Sequence, residues 1–389
     1  MSYAFGVVAL MGGLILSIGL HELGHLAAAR RFGVKVTDFM VGFGPKVWGR
    51  LVGETQVGLR LIPLGGYIKM IGMYPPHSRL GVGEHAELDP VDRQRVFHAI
   101  HPFKKIIVMV AGPAMNLVLA LFLLAVAAMG IGLPTATNQV GALTNCADAG
   151  RDCVQTPAQS MGLRPGDVIV GINGEVSSWA GVVAAIDRHA GGEVEVVVER
   201  GGELTSLLGV LDGSGGEGYL GIAPATSFER LGAGVVVEIG LDMITRTGEA
   251  VMSFPRKLVE LVGVVLGGEP RDPAGPVGVV GLARLSGEFV ADADQWRSGA
   301  LDVILLLAGL NMSLFVFNLI PLVPLDGGNA LTALIELVRR GWARMRGSAN
   351  PPPVDGARLL PLTYTVAIGL LAMALLVTVA DIIEPMSIR

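Results

Sequence analysis

Four stretches of the chain are apolar for long enough to cross a lipid bilayer, which takes about 20 residues in a helix. They are residues 4–20, which run on through a polar motif to Ala29, and residues 106–133, 300–325 and 359–380. The alternative interpretation of the first stretch is a signal peptide, but it lacks the basic flank and the cleavage site of one. The pattern therefore predicts a polytopic α-helical membrane protein with four transmembrane helices.

Composition agrees with this prediction. Hydrophobic residues make up 51% of the chain and charged residues only 16%, whereas soluble domains usually contain about 25% charged residues. The net charge of −5 gives no indication of nucleic-acid binding. We therefore expect the chain to contact the lipid bilayer and not to bind nucleic acid.

Basic residues indicate the orientation of the spans, because Lys and Arg concentrate in cytoplasmic loops. Twelve lie between the first and second spans and five between the third and fourth, while acidic residues outnumber basic ones in the long segment between the second and third. We expect the first and third connections to be cytoplasmic, and the N-terminus, the middle segment and the C-terminus to lie outside.

Together these patterns predict a division of the chain into eight segments. In order they are the first span (1–30), a cytoplasmic loop (31–100), the second span (101–134), an outer domain (135–227), an outer helical segment (228–298), the third span (299–328), a second cytoplasmic loop (329–357), and the fourth span with the C-terminal tail (358–389).

The first cytoplasmic loop has the alternating pattern of β-hairpins at Val57–Leu61 and Gly66–Met70, with a turn at Gly53–Thr55. Its side chains are mostly apolar, so we predict a hairpin that re-enters the membrane against the helices. A strand edge is tolerated at that depth where it lines a protein cavity, and such an edge could pair with an extended peptide. An ordinary cytoplasmic hairpin is the alternative.

The outer domain shows the order helix, turn, strand, turn, helix, strand, hairpin. Residues 164–167 (Arg-Pro-Gly-Asp) form one turn signal, and Asn173-Gly174 is a tight hairpin signal. The order resembles a bacterial PDZ domain, with a generic α/β domain as the alternative. Residues 138–145 contain no clear GLGF-type loop, which leaves the capture of peptide C-termini in doubt.

Two further features lie in the long segment between the second and third spans. Charged residues interrupt the apolar pattern of residues 228–267, which predicts an amphipathic helix or helix pair on the outer membrane surface. Cys146 and Cys153 are the two cysteines of the chain. Because thiols can pair outside the cytosol, we expect a disulfide here, and two unpaired thiols are the alternative.

The first span contains the sequence HELGH, in which His21 and His25 lie one helical turn apart and face the same way. Two imidazoles so placed can bind one Zn²⁺. Glu22 is rotated away from the metal and can act as the general base for the attacking water. Ionisable side chains inside a span are costly and usually functional.

A catalytic zinc site needs a third protein ligand and one open position. Asp326 is the candidate, because it directly follows the third apolar stretch. Pro321 and Pro324, near the end of that stretch, break the helix just before it. A broken helix at membrane depth normally lines a cavity. The alternative is that Asp326 only caps the cytoplasmic end of the span.

Six motifs resemble, in order and topology, those of the site-2 protease family, in particular the bacterial group of the regulator-of-sigma-E protease. They are HELGH, PLGGYIKM (63–70), AGPAMN (111–116), the PDZ-like insert, GPVGV (275–279) and NLIPLVPLDGG (318–328). Two departures occur in the last motif: Pro324 stands one residue later than usual, and Asn329 stands where the family often has His.

The resemblance implies an intramembrane zinc endopeptidase of the bacterial inner membrane, with His21, His25 and Asp326 as zinc ligands and Glu22 as the base. It implies single-pass membrane substrates, typically anti-sigma factors after a first cut outside. It further implies that Asn318 contacts substrate or stabilises the oxyanion, and that the hairpin at Gly65, Gly66 and Tyr67 holds the substrate extended. The PDZ-like domain would exclude substrates with large outer domains.

The predicted fold class is therefore a four-helix membrane protein with a membrane-reentrant β-hairpin and an inserted extracytoplasmic PDZ-like α/β domain. Two other functions remain open from the sequence. A polytopic metal transporter would explain intramembrane His and Asp but not the placement of Glu22 beside His21. A non-catalytic PDZ membrane adaptor would not need HELGH.

Overall fold

The structure is a computed structural model that describes residues 2–76, 78, 88–144, 155–174, 178–213, 218–265, 267, 271–272, 275–291, 296–349 and 351–385. In chain order its elements are α1 (Ser2–Arg31), β1 (Val36–Val52), β2 (Thr55–Met70), α2 (Pro102–Ala125), β3 (Leu133–Leu143), α3 (Pro157–Met161), β4 (Val168–Ile172), α4 (Trp179–Arg188), β5 (Glu193–Arg200), β6 (Glu203–Val210), β7 (Ile222–Glu229), α5 (Ala233–Val265), α6 (Val279–Ala291), α7 (Trp296–Asn318), α8 (Asp326–Met345) and α9 (Leu360–Ile383).

These elements form two units. One comprises Met1–Ala127 and Gly232–Arg389, and the other comprises Ala128–Leu231. The first contains the hairpin and the long helices, and the second contains β3 to β7. The sheet unit is thus inserted in the sequence of the helical one.

The helical unit confirms a polytopic membrane protein. Within the described part of the chain, four helical segments are long and apolar enough to span a membrane: Ser2–Arg31, Pro102–Ile131, Trp296–Asn318 and Gly356–Ile383. The third ends at Asn318, ten residues before the predicted end of the span. Residues 329–357, predicted as a loop, are helical as far as Met345.

β1 and β2 form a hairpin longer than the sequence pattern indicated. The start of β1 pairs with the end of β2, so that Met40 lies opposite Tyr67 and Val41 opposite Gly66. The distal part of the hairpin exposes large apolar side chains, at Val47, Trp48 and Leu51 among others. Such exposure suits contact with lipid, and re-entry of the hairpin into the membrane stays a prediction.

α1 contacts three other helices at positions where it carries glycine. A Cβ atom at position 6 would overlap with the Ser286 carbonyl of α6, one at position 13 would crowd Leu307 of α7, and one at position 24 would overlap with the Ala111 carbonyl of α2. Small residues let membrane helices approach closely. α1, which carries HELGH, therefore packs closely against α6, α7 and α2 at these three positions, while apolar side chains such as Phe5 and Leu16 remain exposed.

A buried ion pair fixes α9 to the start of α6. Arg271 Nη2 lies 2.7 Å from Asp381 Oδ1, and the two side chains are 5% and 0% exposed. Asp381 Oδ2 also accepts hydrogen bonds from the backbone N–H groups of Gly278 and Gly281. A carboxylate is stabilised by the free N–H groups at a helix N-terminus, so Asp381 holds α6 in place.

α5 is a helix of 33 residues that follows the sheet unit in the sequence and precedes α6. Its charged side chains pair along the helix, as in Arg246 with Asp242 and Arg256 with Glu260, and these pairs are largely exposed. A location on the outer membrane surface stays a prediction for this helix.

The sheet unit is an antiparallel sheet of strand order β6-β5-β4-β3-β7. Its core packs the buried side chains of β4 and β5 against one face of α4, where Val182, Ala185 and Ile186 are buried. The sheet domain predicted for residues 135–227 is present, and its likeness to PDZ domains stays a prediction. Cys146 and Cys153 lie outside the described residues.

Asp167 and Arg200 form the main polar contact of the sheet unit. Arg200 donates from Nε to Asp167 Oδ1 at 2.7 Å and from Nη2 to Oδ2 at 2.8 Å. Oδ2 also accepts from the Arg164 backbone N–H, which closes the predicted turn. Arg200 foremost, and then that N–H, hold the pKa of the Asp167 carboxyl below its usual range.

This contact makes the stability of the sheet unit depend on pH. A carboxyl with a lowered pKa in the folded state stabilises the fold above its unfolded pKa, which is about 3.9 for Asp. We expect Asp167→Asn to lower the free energy of unfolding of this unit by about 2 kcal/mol at pH 7. The difference from the wild type should shrink as the pH falls below about 4.

The measurement is thermal unfolding across pH, followed by the fluorescence of Trp179, which packs against this core. Trp48, Trp296 and Trp342 are replaced in the background so that Trp179 is the only reporter. Asp187→Asn, which changes an exposed carboxylate of α4, is the control and should have no effect at pH 7. A constant difference between the Asp167 variant and the wild type down to pH 2 would contradict the assignment.

Candidate active site

Three side chains from distant parts of the sequence converge inside the helical unit. Asp326 Oδ2 lies 3.1 Å from His21 Nε2 and 3.3 Å from His25 Nε2, and the two Nε2 atoms are 3.2 Å apart. One ligand atom from each residue lies within 4.8 Å of the others. The structure thus brings together the three residues that the sequence analysis selected as metal ligands.

His25 is held by a second contact on the far side of its ring. Its Nδ1 lies 2.7 Å from the backbone carbonyl oxygen of Val108 in α2. A carbonyl only accepts, so Nδ1 carries the proton and the Nε2 lone pair faces Asp326 and His21. This is the arrangement that a metal-binding imidazole needs, and two imidazoles with a carboxylate are a typical donor set for catalytic zinc.

His21 also has a partner in α2. Its Nδ1 lies 3.1 Å from the side-chain amide nitrogen of Asn116. Asn116 is 1% exposed, and its amide oxygen has no hydrogen-bond partner among the residues that the structure describes. In the sequence, Asn116 is a strongly polar residue within the apolar stretch 106–133, but the sequence alone gives it no function.

Glycine at position 112 leaves room for the ring of His25. A Cβ atom at position 112 would overlap with Nε2, Cδ2 and Cε1 of His25. Since Val108, Gly112 and Asn116 are spaced by four, they lie on one face of α2. That face contacts both histidines. The Val108 carbonyl and Gly112 lie against His25, and the Asn116 amide lies against His21.

Asp326 is positioned by the break between α7 and α8. α7 ends at Asn318, and α8 begins at Asp326 after Leu325 in an extended conformation. A Cβ atom at 327 would overlap with the Ile320 carbonyl, and one at 328 would lie 2.5 Å from the Val323 nitrogen. The glycines of the LDGG sequence thus let the connection fold back over the start of α8, which places Asp326 beside the histidines.

α8 is tied to α2 by a buried group of charges. Lys105 Nζ lies 2.8 Å from Glu336 Oε2, and Arg340 Nη2 lies 2.6 Å from Glu336 Oε1. Lys105 and Glu336 are 6% and 3% exposed. Removing one partner of a buried ion pair costs several kcal/mol. These residues therefore fix the Asp326 helix against the helix that contacts both histidines.

Glu22 is buried beside the strand edge of the hairpin. It lies close enough to His21, His25 and Asp326 to interact with them electrostatically. A Cβ atom at position 66 would lie 2.9 Å from both Glu22 Cγ and Ile18 Cγ2. The absence of a side chain at Gly66 thus lets the end of β2 lie directly against Glu22.

The other residues selected from the sequence are placed as follows. Gly65 has a φ of +109°, and a Cβ there would lie 2.7 Å from the Phe43 ring. Tyr67 stacks on Phe43 at a centroid distance of 6.4 Å and accepts a hydrogen bond from Arg60. Asn318 is half-buried at the end of α7, across the helix break from Asp326. Gly65 and Tyr67 thus shape the hairpin near Gly66.

The position of Gly112 leads to a direct test. In Gly112→Ala the new methyl group would displace the ring of His25, so the affinity for zinc should fall about tenfold or more. The measurement is retention of zinc by the purified protein against a series of chelator concentrations. Gly12→Ala, at an exposed position of α1 where a Cβ meets nothing within 4 Å, is the control. Equal zinc retention by the two variants would show that the close approach of α2 to His25 is unimportant.

Comparisons with known proteins identify the family. The model of "Peptidase family M50" matches residues 9–349. The chain is 33% identical to the zinc metalloprotease Rip1 of Mycobacterium tuberculosis, with 99% of both chains covered, and 31% identical to Rip1 of Mycolicibacterium smegmatis, with 100% of both covered. A putative zinc metalloprotease of Clostridium perfringens is 29% identical over 94% of this chain and 95% of its own.

These relatives decide between the functions that the sequence left open, since they favour an enzyme over a metal transporter or a non-catalytic adaptor. They also agree with the donor set formed by the two histidines and Asp326. The chain belongs to peptidase family M50, the site-2 proteases, and is a membrane zinc metalloendopeptidase.

Proposed function

We propose that this chain hydrolyses peptide bonds within the transmembrane segments of single-pass membrane proteins, with His21, His25 and Asp326 as the zinc ligands and Glu22 as the general base. The observation that supports this best is the convergence of the three ligand atoms beside a buried Glu22. Charged groups rarely gather in this way inside a membrane unless they have a function.

The roles of the residues follow from their chemistry. His21, His25 and Asp326 would hold the zinc ion, which when bound would polarise a peptide carbonyl and make water a better nucleophile at neutral pH. Glu22 accepts the proton of the attacking water and delivers it to the leaving amide nitrogen. The Val108 carbonyl keeps the proton of His25 on Nδ1 throughout, so that Nε2 remains a ligand.

The substrate segment must unwind before it can be cut, because a helix hides its peptide carbonyls in its own hydrogen bonds. We propose that it adds as a strand to the edge of β2 at Gly66 and Tyr67. The contact of Gly66 with Glu22 supports this proposal, because a peptide paired at that edge would pass next to the base. Asn318 would contact the substrate or stabilise the oxyanion from the other side of the helix break.

The proposed substrate class and membrane setting rest on the family resemblance and on the charges of the loops. Anti-sigma factors that another protease has already cut outside are the substrates implied by the resemblance. The resemblance implies the bacterial inner membrane, and the basic residues of the first and third connections favour an orientation with the N-terminus and the sheet unit outside. The sheet unit, if PDZ-like, would act there as a filter against large outer domains.

The assignment of the base and ligands is tested by separating zinc content from turnover. Glu22→Gln keeps the shape of the side chain but cannot take the proton, so it should retain zinc while kcat falls at least about 100-fold. His21→Ala, His25→Ala and Asp326→Ala should each lower zinc content as well as activity, because each removes a ligand. Full zinc occupancy in Asp326→Ala would remove this residue from the site, and wild-type turnover in Glu22→Gln would remove the base.

Strand addition at β2 predicts a period of two in substrate contacts. A single-cysteine enzyme carrying Tyr67→Cys and Glu22→Gln, with Cys146 and Cys153 replaced by Ser, is cross-linked to a substrate with single cysteines along its span. Alternate substrate positions should cross-link, because successive side chains of a strand point to opposite faces.

Leu51→Cys in the same background is the control, since Leu51 lies in the distal part of the hairpin and pairs with Gln56. It should give no such pattern. Cross-links to Tyr67→Cys that repeat every three to four positions would mean that the substrate stays helical at this edge, and strand addition would be wrong.

A further inference from the structure

We propose that Asn116 is a positioning residue for the metal site: its side-chain amide oxygen accepts the proton on His21 Nδ1 and thereby holds His21 Nε2 toward the metal. The proposal rests on the assignment of His21 as a zinc ligand. Asn116 itself touches neither substrate nor metal.

The first argument is that both histidines need a hydrogen-bond acceptor for the proton on Nδ1. An imidazole that binds a metal through Nε2 carries its proton on Nδ1, and that proton needs an acceptor. His25 has the Val108 carbonyl at 2.7 Å. The group that faces His21 Nδ1 is the amide of Asn116, whose nitrogen lies at 3.1 Å.

The second argument is the unpartnered amide oxygen of Asn116. In the structure the amide nitrogen faces His21 Nδ1 while the oxygen, which is buried, has no hydrogen-bond partner. Turning the amide by 180° keeps its shape and exchanges the two atoms. The oxygen then accepts from His21 Nδ1, and the Nε2 lone pair is free for the metal.

The two orientations match two states of His21. With the amide nitrogen toward Nδ1, the ring carries its proton on Nε2 and donates to Asp326 Oδ2 at 3.1 Å. With the oxygen toward Nδ1, Nε2 is available as a ligand. An amide can serve both states because it has a donor and an acceptor on one side chain.

A packing role is the competing explanation, because polar side chains also join helices within membranes. The chain supplies a matched residue for this comparison. Asn311 of α7 is 0% exposed, its amide oxygen is likewise without a partner, and its nitrogen donates to Ser17 Oγ at 2.9 Å. Asn311 joins α7 to α1 through Ser17 and not through a histidine.

The experiment compares zinc retention by full-length Asn116→Leu, Asn116→Asp and Asn311→Leu in detergent against a chelator series. Thermal unfolding of each variant is measured in parallel. Leu has nearly the size of Asn and suits an apolar span, so Asn116→Leu should fold but bind zinc about 10- to 100-fold more weakly. Asp keeps an acceptor oxygen and should restore zinc binding close to the wild type. Asn311→Leu should bind zinc as the wild type does.

Several outcomes would overturn the proposal. Wild-type zinc affinity in Asn116→Leu would show that His21 needs no acceptor from Asn116. An equal loss of zinc in Asn311→Leu would point to helix packing as the cause, and weak zinc binding in a folded Asn116→Asp would exclude the acceptor role. Should Asn116→Leu fail to fold, Asn116→Ala removes the amide without added bulk, and the same comparison applies. The assignment of His21 as a ligand fails separately, if His21→Ala retains zinc.

Discussion

The close contact between α1 and α2 is the constraint on which the site depends. Polar side chains in the membrane need partners, and the two histidines of α1 find theirs in the adjoining helix. The contact is possible because Gly24 lies against the Ala111 carbonyl and Gly112 lies against the ring of His25. A larger side chain at either glycine would separate the helices and with them the imidazoles from Val108 and Asn116.

The third proposed ligand, Asp326, is positioned in a different way. Asp326 does not belong to a spanning helix at all, since it is the first residue of α8 after a break. The break frees backbone groups that a continuous helix would satisfy, and the connection folds back over Gly327 and Gly328. The buried Lys105–Glu336 pair then fixes α8 to α2. α2 therefore contacts both the helix that carries the two histidines and the helix that begins at Asp326.

The sequence is enough to select the three proposed ligands, but not the residues that surround them. Hydropathy located the spans, and HELGH with the acid after the prolines selected the residues that the structure brings together. The partner of His25 is a backbone carbonyl, which leaves no trace in the sequence. Asn116 did leave one, as a lone polar residue in an apolar stretch, but only the structure shows that it faces His21. α8 was missed because its charged residues gave the pattern of a loop, and the third span was drawn too long because an apolar run continues past the helix end.

The region around Glu22 must combine shielding from solvent with access for a substrate. If Glu22 is the base, as proposed, it must be shielded enough for its interactions with the histidines and Asp326 to be strong, yet a peptide and water must reach it. Gly66 satisfies both demands, because a residue without a side chain lets the backbone of β2 cover Glu22 while leaving the strand edge beside it. On the opposite flank α6 is held against α1 by the hydrogen bond from Ser286 to the Gly6 carbonyl, and Asp381 fixes the start of α6. α1 therefore contacts helices on one flank and the end of β2 beside Glu22 on the other, and in the proposed mechanism the substrate strand would pair at that edge of β2.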